Sequence, residues 1–240
     1  MKHIFFPLKC IACQSLISKK YIPYTQSEFI CKNCYMLLEQ PNKCKRCSKL
    51  IVSEKGVCLT CKDVYSDITQ IRSLYPYSYP IKQSIARWKY NGVRKYAKGY
   101  AELLAQSYKY DPLEIEIDGV IPVPVSKKRF AERGFNQAED LAKEFAKFTD
   151  LPICDILERP IHTKAQSKCE NKEERDKNIQ GAISLNVNYA DKLLKVKQSY
   201  RFIIIDDIYT TGSTIEACIK VIRQKYEIAD IYVFTVCITT

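Results

Sequence analysis

Apolar residues at helical spacing follow one another in the middle of the chain and predict a series of helices. Ile81, Ile85 and Trp88 lie on one face of a helix over residues 81–90. A second helix is predicted over 93–110, and Asn91-Gly92 separates the two. The same spacing predicts helices over 137–148 and 213–226.

Short apolar runs lie before and after these helices and predict strands over 118–125, 182–186, 200–206 and 231–238. Residues 68–79 also have a strand or hairpin pattern, but Pro76 and Pro80 favour the edge of a sheet. Strands that alternate with helices predict an α/β domain with a parallel sheet.

The length of the chain permits one such domain and a small additional module. The sequence has 240 residues and is 46% hydrophobic, which is ordinary for a protein with a buried core. The apolar stretch near the start is too short for a signal peptide, and no segment reaches the length of a membrane span. We therefore expect a cytoplasmic protein, with a boundary near Asp63 between a module at 1–63 and a domain at 64–240.

Cysteines define the first module. Eight of the twelve form four Cys-x-x-Cys pairs in the first quarter of the chain: Cys10/Cys13, Cys31/Cys34, Cys44/Cys47 and Cys58/Cys61. A two-residue spacer lets two thiolates converge on one Zn²⁺, and two such pairs complete a tetrahedral structural site. Four pairs in succession favour structural zinc over a redox dithiol.

The pairing of these knuckles has alternatives. Our first choice is sequential pairing, with one site from Cys10/Cys13/Cys31/Cys34 and another from Cys44/Cys47/Cys58/Cys61. Seventeen residues separate Cys13 from Cys31, as in a zinc ribbon, but only ten separate Cys47 from Cys58. A cross-braced arrangement and a single occupied site therefore remain open.

Positive charge is concentrated in the same module. Residues 1–62 contain eleven Lys and Arg and three Asp and Glu, a net charge of +8 out of +11 for the chain. Cations with aromatic residues between them can bind the phosphates and bases of single-stranded nucleic acid, although they also suit a solvated surface over a small aromatic core. The candidate contacts are Lys19, Lys20, Lys43, Lys45, Arg46 and Lys49.

The strongest functional signal is the stretch from 201 to 214. An apolar run ends at Asp206 and Asp207, two carboxylates that can accept hydrogen bonds from the vicinal hydroxyls of a ribose. Thr210, Thr211, Gly212, Ser213 and Thr214 then lead into a helix and offer amides and hydroxyls that suit a monophosphate. The alternative role for the two carboxylates is capping of that helix.

Two further segments are rich in charge. The prolines that end the strand at 118–125 are followed by a cationic loop with Ser126, Lys127, Arg129 and Arg133, a candidate anion-binding loop. Residues 158–180 are polar, show no hydrophobic periodicity and are too long for an ordinary connection.

Several motifs together resemble a known family. Residues 203–214 look like the phosphoribosyl pyrophosphate (PRPP) motif of type I phosphoribosyltransferases. Combined with the cysteine knuckles, the further motifs resemble the ComF family of competence proteins over nearly the whole chain. These motifs are Lys89-Tyr90, Arg133-Gly134-Phe135-Asn136-Gln137 and the series Thr163, Gln166, Arg175, Asn178 and Gly181.

The resemblance implies a type I phosphoribosyltransferase fold, a parallel sheet flanked by helices with a hood, plus an N-terminal double zinc ribbon. It implies that Asp206 and Asp207 bind ribose hydroxyls, residues 210–214 the 5-phosphate, and the loop after Val125 the pyrophosphate with Mg²⁺. Residues 159–181 would be a flexible loop that closes over the ligand.

The same resemblance implies a cytosolic role with single-stranded DNA in natural transformation, alongside other competence proteins. It brings no acceptor base and no established turnover. The alternative function is a metabolic phosphoribosyltransferase that transfers ribose 5-phosphate to a nucleobase and releases pyrophosphate.

Overall fold

The computed structural model describes residues 7–38, 42–51, 56–63, 67–113, 115–163, 172–186 and 197–239. The strands are β1 Gln70–Pro76, β2 Gly119–Pro122, β3 Leu157–Glu158, β4 Ser184–Leu185, β5 Tyr200–Tyr209 and β6 Ile228–Ile238. The helices are α1 Ile22–Thr25, α2 Lys32–Met36, α3 Leu59–Asp63, α4 Ile81–Tyr90, α5 Lys95–Tyr110, α6 Lys127–Arg133, α7 Gln137–Thr149, α8 Lys172–Ile179 and α9 Ser213–Ile222.

A four-stranded sheet forms the centre of the molecule, in the order β1-β6-β5-β2, and all three pairings are parallel. Alternate residues of β5 enter two different cores. Ile203 and Ile205 pack with Trp88 of α4 and Phe145 of α7, whereas Phe202 and Ile204 pack on the other face with α9. Both faces of the sheet are therefore buried, which explains the continuous apolar runs. The predicted fold class, a parallel sheet flanked by helices with a small cysteine-rich module, is confirmed.

Most of the predicted elements are present. Helix α4 has the predicted bounds, and β1 lies at the edge of the sheet as its prolines indicate. The strand predicted to end at Asp206 instead continues to Tyr209, because Asp206, Ile208 and Tyr209 still pair with β6. Among the described residues, none of the helices has the length and apolarity to cross a bilayer.

Two segments that we expected to be loops contain helices. The cationic segment after Val125 forms α6, which begins after the N-cap Ser126 and ends at Gly134 in a left-handed conformation with φ 78°. The polar segment at 158–180 contains α8, whose Ile179 is buried. A short helix needs only one buried residue if it packs on a neighbour, so its sequence shows little periodicity. Residues 164–171 of the expected flexible loop lie outside the described residues.

The cysteine module packs directly on the sheet and its helices. The first half lies behind α4, where the Ser84 hydroxyl donates to the carbonyl oxygen of Ile11 at 2.6 Å. Gly99 of α5 permits this approach, since a Cβ there would lie 2.7 Å from side-chain atoms of both Ile11 and Phe29. The second half lies along β1, where the Ile71 amide donates to the carbonyl oxygen of Arg46 at 2.7 Å.

Candidate functional site

A cavity of about 190 Å³ lies where β2 and β5 end. The topology places it there, since parallel strands present their carboxyl ends at one edge of the sheet. Its lining combines the predicted carboxylates, part of the following loop and part of the cationic segment. The residues that carry polar groups into it include Lys89, Arg129, Arg133, Gln137, Arg159, Asp206, Asp207, Thr210 and Thr214.

The two carboxylates lie together with a half-buried lysine. Lys89, at the end of α4, forms an ion pair with Asp207. Burial opposes ionisation of Asp207, but the charge and hydrogen bond of Lys89 outweigh it and lower the pKa of that carboxyl. Burial, and then the negative charge of Asp207, raise the pKa of Asp206 well above its ordinary value. The pair therefore offers one ionised acceptor beside a carboxyl that holds a proton more readily, a suitable arrangement for a diol.

The helix-capping alternative for these carboxylates is wrong. The N-cap of α9 is Gly212, so neither carboxylate occupies the capping position. Asp206 and Asp207 lie within β5, before the loop that leads into the helix. Their position at the cavity needs another explanation, and binding of a ligand supplies one.

The loop from β5 to α9 forms the next wall. Thr210, Gly212 and Thr214 line the cavity, whereas Thr211 and Ser213 share a hydrogen bond of 2.9 Å between their hydroxyls. Gly212 has φ 88°, and a Cβ there would lie 2.5 Å from the hydroxyl oxygen of Tyr209. Only glycine suits this turn. The loop thus presents the N-terminus of a ten-residue helix to the cavity, where backbone amides favour an anion.

The predicted pyrophosphate residues divide into two groups. Arg129 and Arg133 lie one turn apart on α6 and line the cavity. Ser126 and Lys127 do not line it. Ser126 is buried, and its hydroxyl caps α6 and lies 2.9 Å from Nδ1 of His162. The sequence suggested a loop in which all four would face one anion, but the helix turns only one face toward the cavity.

Several lining residues were not in the predicted binding set. Lys89 and Tyr90 entered the sequence analysis only as a motif of the ComF resemblance, and both line the cavity. The Arg133 guanidinium lies 5.6 Å from the ring centroid of Tyr90. Arg159 follows β3 and also lines the cavity. Its segment contains many charged residues, so no feature of the sequence distinguished this one as a binding residue. Gln166 of the family motif lies outside the described residues.

The cysteines form two groups of four in sequential pairing, Cys10/Cys13/Cys31/Cys34 and Cys44/Cys47/Cys58/Cys61. The sulfur atoms of each group lie within 4.8 Å of one another, and those of Cys13 and Cys31 are 3.6 Å apart. A tetrahedral Zn²⁺ with bonds of about 2.3 Å needs sulfurs about 3.8 Å apart. Both groups therefore fit a structural zinc ion, and the ten-residue spacer of the second does not prevent closure.

Comparison with known proteins agrees with this combination of knuckles and cavity. The chain is 28% identical to competence protein ComFC of Streptococcus pneumoniae over 229 residues, which cover 90% of this chain and 94% of that protein. The chain is similar to the ComF proteins over nearly its whole length. ComFC of Bacillus subtilis is 26% identical over 95% of this chain and 94% of its own length, and competence protein F of Haemophilus influenzae 25% over 92% and 93%. The ComF resemblance found in the sequence is confirmed.

Two other comparisons add less. No family model matches the ComF-like chain. A hypoxanthine phosphoribosyltransferase from Trypanosoma cruzi, solved with its product IMP, is 17% identical, with a TM-score of 0.30 over 60% of this chain and 65% of that one.

The nucleic-acid candidates of the ComF-like chain differ in their surroundings. Lys19, Lys20 and Lys45 are exposed. The Lys43 ammonium instead donates to the carbonyl oxygen of Leu74 at 2.8 Å and to two further carbonyl oxygens, and burial lowers its pKa. Arg46 donates to the carbonyl oxygen of Cys61 at 2.9 Å. The structure thus gives Lys43 and Arg46 a role within the fold, and the remaining candidates are Lys19, Lys20, Lys45 and the half-buried Lys49.

Proposed function

We propose that this ComF-like protein binds PRPP with Mg²⁺ in the cavity at the end of β5 and acts in competence by handling single-stranded DNA. The observation that carries the ligand assignment is the combination at one edge of the sheet. A carboxylate pair, a helix N-terminus and three arginines line one cavity. These groups match a sugar diol, a 5-phosphate and a more highly charged group on one ligand.

In this proposal each part of the cavity lining binds a different group of PRPP. Asp206 and Asp207 bind the ribose hydroxyls, and Lys89 keeps Asp207 ionised so that it accepts from a hydroxyl. Residues 210–214 bind the 5-phosphate, and the arginines bind the pyrophosphate that carries Mg²⁺. The competence role comes from the relatives, which are named as competence proteins.

Calorimetric titration of PRPP with Mg²⁺ tests the ligand assignment. The wild type should bind, and Asp206→Asn/Asp207→Asn should bind at least about tenfold more weakly, because the ionised acceptor for the diol loses its charge and its carboxyl neighbour is replaced as well. Glu227→Gln is the matched control, since Glu227 is an exposed acid just before β6, at the opposite end of the sheet. Equal binding by the double variant and the wild type would show that the diol site is misassigned.

Gel shifts with single- and double-stranded oligonucleotides test the proposed binding of single-stranded DNA. Binding of the single strand should be strongest at low salt, because phosphate contacts release counterions. Replacing Lys19, Lys20 and Lys45 with Ala should weaken it and lower the log–log salt slope by about 2. Lys220→Ala, an exposed lysine of α9, serves as the control. No shift of single-stranded DNA at low salt would contradict this part.

A further inference from the structure

A groove between the cysteine module and α5 shares no lining residue with the cavity at the end of β5. Helix α2, strand β1 and the C-terminal half of α5 contribute to it, and we call it the α2–α5 groove. Its volume of about 860 Å³ lies within the range of ligand sites. The side-chain nitrogen of Gln106 donates to the carbonyl oxygen of Gln26 at 3.1 Å, so that α5 and the cysteine module are joined beside the groove.

The α2–α5 groove presents aromatic and polar groups rather than aliphatic ones. Leu74 and Leu103 line it but are only 4% and 1% exposed, so they support the groove and offer little surface to a ligand. Tyr110, the last residue of α5, is 93% exposed, and Tyr35 of α2 is half-buried. An exposed aromatic ring is a platform for a planar group. The groove therefore suits an aromatic ligand better than the apolar face of a partner helix.

Positive charge in the α2–α5 groove has no counter-ion among the described residues. No carboxylate lines the described part of the groove, whereas Lys43 and Lys109 do. The Lys43 ammonium donates to three backbone carbonyl oxygens, which are uncharged acceptors, and burial lowers its pKa. Lys109 is exposed beside Tyr110. An anion in the groove would supply the missing negative charge, in direct contact with Lys109 and within the field of Lys43.

The same groove therefore offers an aromatic platform, uncharged hydrogen-bonding groups and uncompensated positive charge. A nucleotide carries the matching groups, because its base has a π-face and polar edges and its phosphate is an anion. An acidic peptide would satisfy the lysines but would leave the tyrosine platform without a planar partner. The combination favours a nucleotide over a peptide.

We propose that the α2–α5 groove binds a nucleotide unit, with its base stacked on Tyr110 and its phosphate beside Lys109. The site deepens the proposed function, on which it rests for the view that this nucleotide is part of a strand of single-stranded DNA. It adds an aromatic contact to a DNA surface that the exposed lysines of the cysteine module otherwise define by charge.

Fluorescence anisotropy with a labelled oligo(dT) strand of about twelve nucleotides tests this site. Tyr110→Ala should weaken binding by about tenfold, because a stacking platform is lost, and Tyr110→Phe should stay within about twofold of the wild type, because the ring is kept. Lys109→Met should lower the log–log salt slope by about 0.7. Lys220→Met, which removes an exposed lysine of α9 outside the groove, is the matched control and should leave the slope unchanged.

Calorimetry with thymidine 5′-monophosphate separates this site from the proposed DNA role. A wild type that binds the mononucleotide but not oligo(dT), and loses the mononucleotide in Tyr110→Ala, supports the groove and contradicts the DNA role. A wild type that binds oligo(dT), with Tyr110→Ala and Lys109→Met binding equally well, overturns the groove and leaves the DNA role standing.

Two competitors test whether the groove recognises more than charge. Inorganic phosphate and poly-glutamate should displace oligo(dT) much less effectively than the unlabelled strand does, because neither has a ring to stack on Tyr110. Displacement by poly-glutamate as effective as that by the unlabelled strand would overturn the nucleotide assignment in favour of an acidic protein partner.

Discussion

The two cysteine groups have the same local structure in different surroundings. Each group begins with a knuckle: Cys10/Cys13 is here called the first knuckle, and Cys44/Cys47, 34 residues later, the second. The Gln14 amide donates to the carbonyl oxygen of Cys10 at 2.9 Å, and the Ser48 amide donates to that of Cys44 at 2.8 Å. Gln14 and Ser48 also share a left-handed conformation, with φ 68° and 57°. The spacing of the cysteines is therefore enough to set the local geometry.

The residues between the cysteines decide where each knuckle packs. The first has Ile11 and Ala12 there, both buried against α4 and α5. The second has Lys45 and Arg46 at the equivalent positions, and it lies along the edge strand β1. The first knuckle thus enters the core with its two spacer residues as well as its cysteines, whereas the second packs through Cys44 and Cys47 and leaves Lys45 exposed. The comparison teaches that a shared metal site does not imply a shared contribution to stability.

The largest expected difference comes from removing one knuckle at a time. Cys10→Ser/Cys13→Ser should lower the free energy of unfolding by more than about 4 kcal/mol, because loss of the metal also loosens the core behind α4. Cys44→Ser/Cys47→Ser should lower it by about 2–3 kcal/mol. Urea unfolding measures both, and elemental analysis should find one zinc per chain in each variant. If the second variant proved less stable than the first, the comparison would be reversed.

A smaller difference is expected from the hydroxyls that hold each knuckle. Ser84 is fully buried and bonds both the Ile11 carbonyl oxygen and the Tyr100 hydroxyl at 2.6 Å. Ser48 is half-buried and donates to the Ile71 carbonyl oxygen at 2.7 Å. Ser84→Ala leaves two buried groups unpaired and should cost about 2–3 kcal/mol, whereas water can replace Ser48, so that Ser48→Ala should cost about 1 kcal/mol.

Thermal unfolding of both serine variants, with zinc content as a control, checks this difference. If both variants lost the same free energy of unfolding, the two knuckles would be attached to the fold with similar strength.

The smallest expected effect is on ligand binding. Helix α4 contacts the first knuckle through Ser84 and Arg87 and ends at Lys89, which pairs with Asp207. A small shift of this helix should weaken PRPP binding by about threefold in Ser84→Ala, and Ser48→Ala should not change it. Calorimetry at a temperature where both variants are folded measures the effect. An unchanged affinity in Ser84→Ala would show that the first knuckle stabilises the fold without influencing the cavity.

The sequence predicted those features that depend on local pattern. The strands and long helices, the cysteine pairing and the cavity loop at 210–214 all follow from short stretches of chain. The functions of Arg159 and Lys43 do not, because each is fixed by residues far along the chain. Lys43 bonds backbone oxygens of β1, and Arg159 reaches a cavity built by β2, β5 and α7. Charge alone could not distinguish a lysine that holds a strand from one that meets a polyanion.

The contact between the second knuckle and β1 also protects the outer edge of the sheet. An open edge strand offers unpaired amides and carbonyls to another chain, which is a common route to aggregation. Here Arg46 and Ser48 occupy the Ile71 amide and carbonyl, and Lys43 occupies the carbonyl of Leu74. A zinc-binding fold thus does for this sheet what a proline, a bulge or an inward-pointing charge does in others.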